Sequence, residues 1–285
     1  MGPLISVEQF QQLRAQTAPR GPSVAVLDCG FDLFDVDAGE RAYGAGHVPG
    51  AFYAHLDRDL SGPKSPRGPV DGGRHPLPSR GQWAARLTQW GITPATPVVA
   101  YDDQGGCYAA RAWWMLRWMG HEAVAVLDGG KAAWLAAGGA LDTAVPSAQS
   151  SAAYPETEPG MSTVTAPELL QRLGRVCLVD ARVGERYRGE TEPLDTRAGH
   201  IPGAVNRFFK HNLQPDGRFK PVEQLRAEWQ PLLQAGDPVV HQCGSGVTAC
   251  HNLLALAHAG LGEGVLYPGS WSEWSADPGR PVALG

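Results

Sequence analysis

Four short motifs occur twice along the 285-residue chain, in the same order each time. Val24–Gly30 (VAVLDCG) returns as Val176–Arg182 (VCLVDAR), and Ala45–Tyr53 (AGHVPGAFY) as Ala198–Asn206 (AGHIPGAVN). Thr96–Gly106 (TPVVAYDDQGG) returns as Asp237–Gly246 (DPVVHQCGSG), and Val126–Trp134 (VLDGGKAAW) as Leu266–Trp274 (LYPGSWSEW). Ordered self-similarity of this kind confines the chain to two copies of one supersecondary plan. We expect one domain over 1–145, a linker over 146–160 rich in Ser, Ala, Pro and Glu, and a second domain over 161–285. In each copy, short apolar runs such as SVAVLD, PVVAY, RVCLVD and PVVHQ alternate with stretches that carry apolar residues at helical spacing, Tyr108–Gly120 and Gly246–Gly260 among them. The alternation predicts an α/β fold in which each copy is a parallel sheet with helices on both faces. Ligands of such sheets gather beyond the carboxyl ends of the strands.

One of those ends carries a thiol. Cys243 sits between the apolar run PVVHQ and a helical stretch, inside a loop of Gly244, Ser245, Gly246, Val247 and Thr248. A strand-to-helix junction exposes unpaired amides, and the helix adds partial positive charge, so an anionic sulfur is stabilised there. Gly244 and Gly246 let the backbone curl around the sulfur, and Thr248 is placed to cap the helix. Cys243 is therefore the expected nucleophile. The other four cysteines, Cys29, Cys107, Cys177 and Cys250, read as small core residues or as thiols in weak loop contexts. His241, Cys243, Cys250 and His251 lack zinc-like spacing, so neither a metal nor a cofactor is expected. Phosphatases with a cysteine loop place an arginine six residues after the cysteine, and that position is Ala249.

Charge and hydropathy bound the partners. A net charge of −5 argues against nucleic acid. No apolar run reaches the ~18 residues that a membrane span requires. The first residues lack the basic and apolar regions of a signal peptide and read as a helix capped by Ser6, and five cysteines without framework spacing fit a reducing compartment. The expected location is cytoplasmic.

The loop CGSGVTA resembles the active-site loop of the tandem-domain rhodanese family, close to its 3-mercaptopyruvate sulfurtransferase branch; GHVPGA, GHIPGA and PGSWSEW resemble the family's other signatures. The resemblance implies two tandem rhodanese-like domains and a persulfide on Cys243, loaded by 3-mercaptopyruvate or, alternatively, thiosulfate. A small thiol, cyanide or a protein thiol such as thioredoxin would then accept the sulfur. The first copy has Asp102 or Asp103 where the second has Cys243, and a carboxylate cannot carry sulfane sulfur, so one active site is expected. By the same resemblance Ser245, His75 and Asp57 form a proton relay, with Asp59 competing for the last place. Arg186 binds the donor's carboxylate, with Arg188 beside it and Gly244, Gly246, Val247 and Thr248 lining the site. Where the mercaptopyruvate branch often has a second arginine after its Glu-Pro pair, this chain has Leu194, and Arg188 or Arg197 would have to substitute. His47, His200, Asp28 and Asp180 occur in both copies and read as structural. Trp274 matches Trp134 and reads as core, whereas Trp271 has no aromatic counterpart and reads as a pocket residue.

Overall fold

A computed structural model describes residues 1–17, 24–147, 152–233 and 239–285. Part of the expected linker, 148–151, lies outside the described residues, as do Asp237 and Pro238. The chain forms two compact units, one of residues 1–61, 78–160 and 215–219, the other of 62–77, 161–214 and 220–285. The second unit thus includes a stretch, 62–77, that lies inside the first repeat in sequence.

The first unit contains β1 (Leu4–Ile5), α1 (Val7–Thr17), β2 (Ala25–Asp28), α2 (Ala38–Ala45), β3 (Ala51–Tyr53), α3 (Arg80–Gln89), β4 (Val98–Tyr101), α4 (Ala109–Trp118), β5 (Val124–Leu127) and α5 (Gly130–Ala136). Its strands pair in the order β1-β5-β4-β2-β3, and every pairing is parallel. Helix α1 begins as its sequence directs: the Ser6 hydroxyl accepts from the Gln9 amide, and the Gln9 side chain accepts from the Ser6 amide. Phe10 of α1 and Ala133 and Trp134 of α5 pack on Val26, Val99 and Ala125. Tyr154, in the C-terminal part of the expected linker, is buried in this unit, with its hydroxyl on His121 and its amide on Thr88.

The second unit contains α6 (Ala166–Arg172), β6 (Cys177–Asp180), α7 (Gly184–Arg188), β7 (Val205–Asn206), α8 (Val222–Trp229), β8 (Val239–Gln242), α9 (Ala249–Ala259), β9 (Val265–Leu266) and α10 (Ser270–Ala276). The order β7-β6-β8-β9 repeats that of the first sheet, again all parallel. A bridge from Thr163 to Leu266 takes the place β1 holds beside β5. Alternate strand residues serve opposite faces. Leu178 and Val240 pack with Leu169 of α6 and Trp271 and Trp274 of α10, whereas Val179 packs with Leu225 and Trp229 of α8 and Leu256 of α9.

The duplicated histidines and tryptophans are framework in both units. His47 Nδ1 lies 2.9 Å from the Tyr43 carbonyl and its ring stacks on Tyr43; His200 does the same with Tyr187 at 2.9 Å. The Trp134 and Trp274 indoles donate to the carbonyls of Ala140 and Pro281, each at 2.8 Å.

Candidate active site

Strand register fixes which residue of the first unit stands where Cys243 stands in the second. Asp28 pairs with Tyr101, and Asp180 with Gln242, so the residues that follow, Asp102 and Cys243, are equivalent. In the first unit the amides of Gln104, Gly106, Tyr108 and Ala109 all donate to the buried Asp102 carboxylate, at 2.8–2.9 Å. Burial pushes that carboxyl's pKa up, against the four amides that pull it down. The loop is thus an anion cradle that the protein fills with its own side chain.

In the second unit Cys243 begins the equivalent loop and is buried. Gly246 has φ +76°, and a Cβ there would come within 2.3 Å of the Pro268 carbonyl oxygen, so only glycine permits this curl. Among the described residues, no hydrogen bond joins the amides of Ser245, Val247 and Thr248 to another group of the chain. Two backbone bonds fasten the loop from above: Trp271 N–H to the Cys243 carbonyl at 3.0 Å and Ser272 N–H to the Gly244 carbonyl at 2.8 Å. Thr248 precedes α9 but makes no side-chain cap bond, contrary to expectation; its backbone is already helical, which turns the hydroxyl away from the first-turn amides.

Sequence reasoning missed Ser270. It is the one non-glycine with positive φ (53°) among the described residues, and its hydroxyl accepts the Cys243 amide at 3.1 Å while donating to the Tyr267 carbonyl at 2.9 Å. Its counterpart Gly130 has φ +58°, and a Cβ there would fall 2.0 Å from the Asp102 carbonyl oxygen. A serine replacing glycine at a left-handed position was the available signal; its strain is retained where it holds the cysteine backbone.

His75 lies in the second unit, buried, with Nδ1 2.7 Å from Ser245 Oγ. The segment that carries it is pinned to α10. Gly72 N–H donates to the Glu273 carboxylate at 3.1 Å, and Arg74 N–H to Ser272 Oγ at 2.9 Å. Between them, Gly73 has φ +77°, with the Gly269 carbonyl oxygen 2.4 Å from where a Cβ would stand. Asp57 and Asp59 belong to the first unit. There Asp59 accepts from the His55 amide at 2.8 Å and pairs with Arg86 at 3.0 Å, and Asp57 N–H donates to His55 Nδ1 at 3.1 Å.

The arginines separate by position. Arg186, on α7, donates to Glu192 at 2.6 Å and Asp195 at 3.0 Å. Arg74, also missed by sequence reasoning, pairs with Asp195 at 2.6 Å. These two guanidiniums are the groups nearest a Cβ built on Gly244, at 3.3 Å for Arg74 and 3.5 Å for Arg186. Arg188 is surface-exposed and pairs with Glu190 at 2.6 Å. Arg197 donates to the carbonyls of Trp274, Ser275, Asp277 and Arg280 and is a structural clamp on the C-terminal segment. A cavity of about 440 Å³ opens beside Arg74, Glu192, Leu194, Asp195 and Ser272. Trp271 is not a pocket residue: it is wholly buried, donates to the Arg197 carbonyl at 3.0 Å and lies under the Arg182 guanidinium at 4.6 Å. Arg182 itself is buried on Asp180.

Burial raises the Cys29 thiol pKa well above its ordinary value, which suits a packing role. Cys177 Sγ lies 3.0 Å from the Leu232 carbonyl and Cys250 Sγ 3.4 Å from that of Gly246. Among the described residues no cluster of three or more His, Cys, Asp or Glu is placed to hold a metal, and no helix is long and apolar enough to cross a membrane.

Fold and site together define a duplicated α/β protein in which one copy keeps a thiol at the end of a central strand and the other fills that place with a carboxylate. The family model for the rhodanese-like domain matches residues 21–137 and again 165–277, and the chain belongs to that family. It is 48% identical over 280 residues to a Pseudomonas aeruginosa protein named "Probable 3-mercaptopyruvate sulfurtransferase", covering 96% of each chain. It is 36% identical over 277 residues to the rat thiosulfate sulfurtransferase, covering 93% of this chain and 90% of the relative. Among solved structures it is similar to SseA from Escherichia coli, described under 3-mercaptopyruvate sulfotransferases, with TM-score 0.78, 28% identity and coverage of 96% of this chain and all of that one.

Proposed function

We propose that this chain is a sulfurtransferase that takes sulfur from 3-mercaptopyruvate onto Cys243 and passes it to a thiol. The observation that carries the reading is the contrast between the two loops: one set of amides already grips a carboxylate at Asp102, and Cys243 stands at the register-equivalent place in a loop whose Ser245, Val247 and Thr248 amides are unengaged among the described residues. The Cys243 thiolate attacks the donor's sulfur, the carbon–sulfur bond breaks, and the electron pair leaves as the enolate of pyruvate. Loop amides stabilise the persulfide anion that forms on Cys243. Ser245 and His75, 2.7 Å apart, deliver the proton that converts the enolate to pyruvate, with Asp57 as the expected third member. Arg186 holds the donor's carboxylate. An acceptor thiolate, that of a small thiol or of a protein such as thioredoxin, then attacks the outer sulfur and releases the Cys243 thiolate, which completes a ping-pong cycle. The chain's likeness to the Pseudomonas relative supports mercaptopyruvate as donor.

The test is kcat/KM for the two donors with one acceptor, in the unaltered protein and in Ser245→Ala. We expect mercaptopyruvate to be preferred and Ser245→Ala to lower its kcat by about 10²-fold, with a much smaller loss for thiosulfate, which releases no enolate. Preference for thiosulfate, or equal losses for both donors, would contradict the reading.

A further inference from the structure

We propose that Arg74 is the second arm of the carboxylate clamp, working with Arg186, so that the 2-oxo acid donor is held by two guanidiniums oriented by Asp195. The inference deepens the reading above and rests on it. Leu194 stands where a second arginine is expected, Arg197 is committed to four backbone carbonyls, and Arg188 is paired at the surface with Glu190. Arg74 is the other guanidinium that reaches Gly244 beside Arg186. Its backbone is fixed by the Ser272 hydroxyl and by Gly73, which has no room for a side chain against α10. Its Nη1 donates to Asp195 Oδ1 at 2.6 Å, while Arg186 Nη2 donates to Asp195 Oδ2 at 3.0 Å. One buried carboxylate therefore sets the rotation of both guanidiniums, and burial raises its own pKa against the pull of Arg74 and Arg186.

With those nitrogens engaged, Arg74 Nη2 and Arg186 Nη1 face the residue that follows Cys243. The Nε atoms of both arginines are buried and, among the described residues, hydrogen-bond to nothing. Two guanidinium edges converging on Gly244, the residue after the thiol, match the two oxygens of a carboxylate better than one edge alone. Adjacent residues on one pinned strand of chain then serve both ends of the same molecule: Arg74 takes the carboxylate, and His75 reaches Ser245 at 2.7 Å.

The experiment compares Arg74→Lys, Arg74→Ala and Arg186→Ala with the unaltered protein. KM for 3-mercaptopyruvate is measured together with the affinity for pyruvate, as competitive inhibitor and by calorimetry. Arg74→Lys keeps a cation for Asp195 and loses the second edge. We expect its KM and the pyruvate dissociation constant to rise together by about tenfold, with kcat within about threefold and an unchanged melting temperature. Values within about twofold of the unaltered protein in both Arg74 variants, while Arg186→Ala weakens binding, would overturn the two-arm clamp and leave the proposed function standing. Absence of turnover with 3-mercaptopyruvate in the unaltered protein would overturn the proposed function. Pyruvate calorimetry decides the clamp in either case: equal affinity with and without Arg74 rejects it.

Discussion

Cys243→Ser is expected to abolish sulfur transfer from mercaptopyruvate and from thiosulfate alike, with activity falling by 10³-fold or more on the order of a removed covalent nucleophile. A hydroxyl fills nearly the same space, so packing against the loop survives and the melting temperature should stay within about 2 °C. The pairing of a lost reaction with an intact fold is what distinguishes a nucleophile from a buried structural thiol. Steady-state assays with both donors, alongside a thermal melt, check it. Cys29→Ser, Cys107→Ser and Cys250→Ser serve as controls that should retain transfer wherever they fold. Residual turnover of a few per cent in Cys243→Ser would place the sulfur on another group.

The second large effect is on stability and lies in the unit without a candidate nucleophile. Asp102→Ala removes the acceptor of four amides from a fully buried junction. Leaving them unsatisfied is expected to cost about 4 kcal/mol, and Asp102→Asn, which keeps one acceptor oxygen, about half of that. Denaturant unfolding followed by tryptophan fluorescence measures both. A loss below about 1 kcal/mol in Asp102→Ala would mean that the loop finds other partners, and that its amides are not built around an anion. The substitution tests the physical basis of the Cys243 loop without touching its chemistry, because register makes the two positions equivalent.

Duplication made both parallel sheets legible, since each apolar run had a second instance at the matching place; their shared strand order comes from the pairing of the strands. It also marked His47 and His200 as structural, and each places Nδ1 at a backbone carbonyl and its ring on a tyrosine. Spacing alone did not choose between Asp102 and Asp103, because the first-unit loop reaches its helix one residue later than the second; strand register chooses Asp102. Trp271 was misread for want of a counterpart: its place against Arg182 depends on a contact from β6's end that no local pattern encodes. Arg74 stayed hidden because it sits in a Gly- and Pro-rich stretch without periodicity, and its partner Asp195 is 121 residues away. Thr248 carried a good capping residue type but the wrong backbone, which composition does not reveal.

Everything chemical here depends on an outer sulfur forming on one residue. The direct measurement is the mass of the Cys243 peptide after 3-mercaptopyruvate is added without acceptor, with released pyruvate counted in the same sample. We predict one added sulfur per chain on that peptide, one pyruvate released with it, and loss of the sulfur when a thiol is supplied. An unmodified Cys243 peptide alongside released pyruvate, or the added sulfur on a different cysteine, would contradict it.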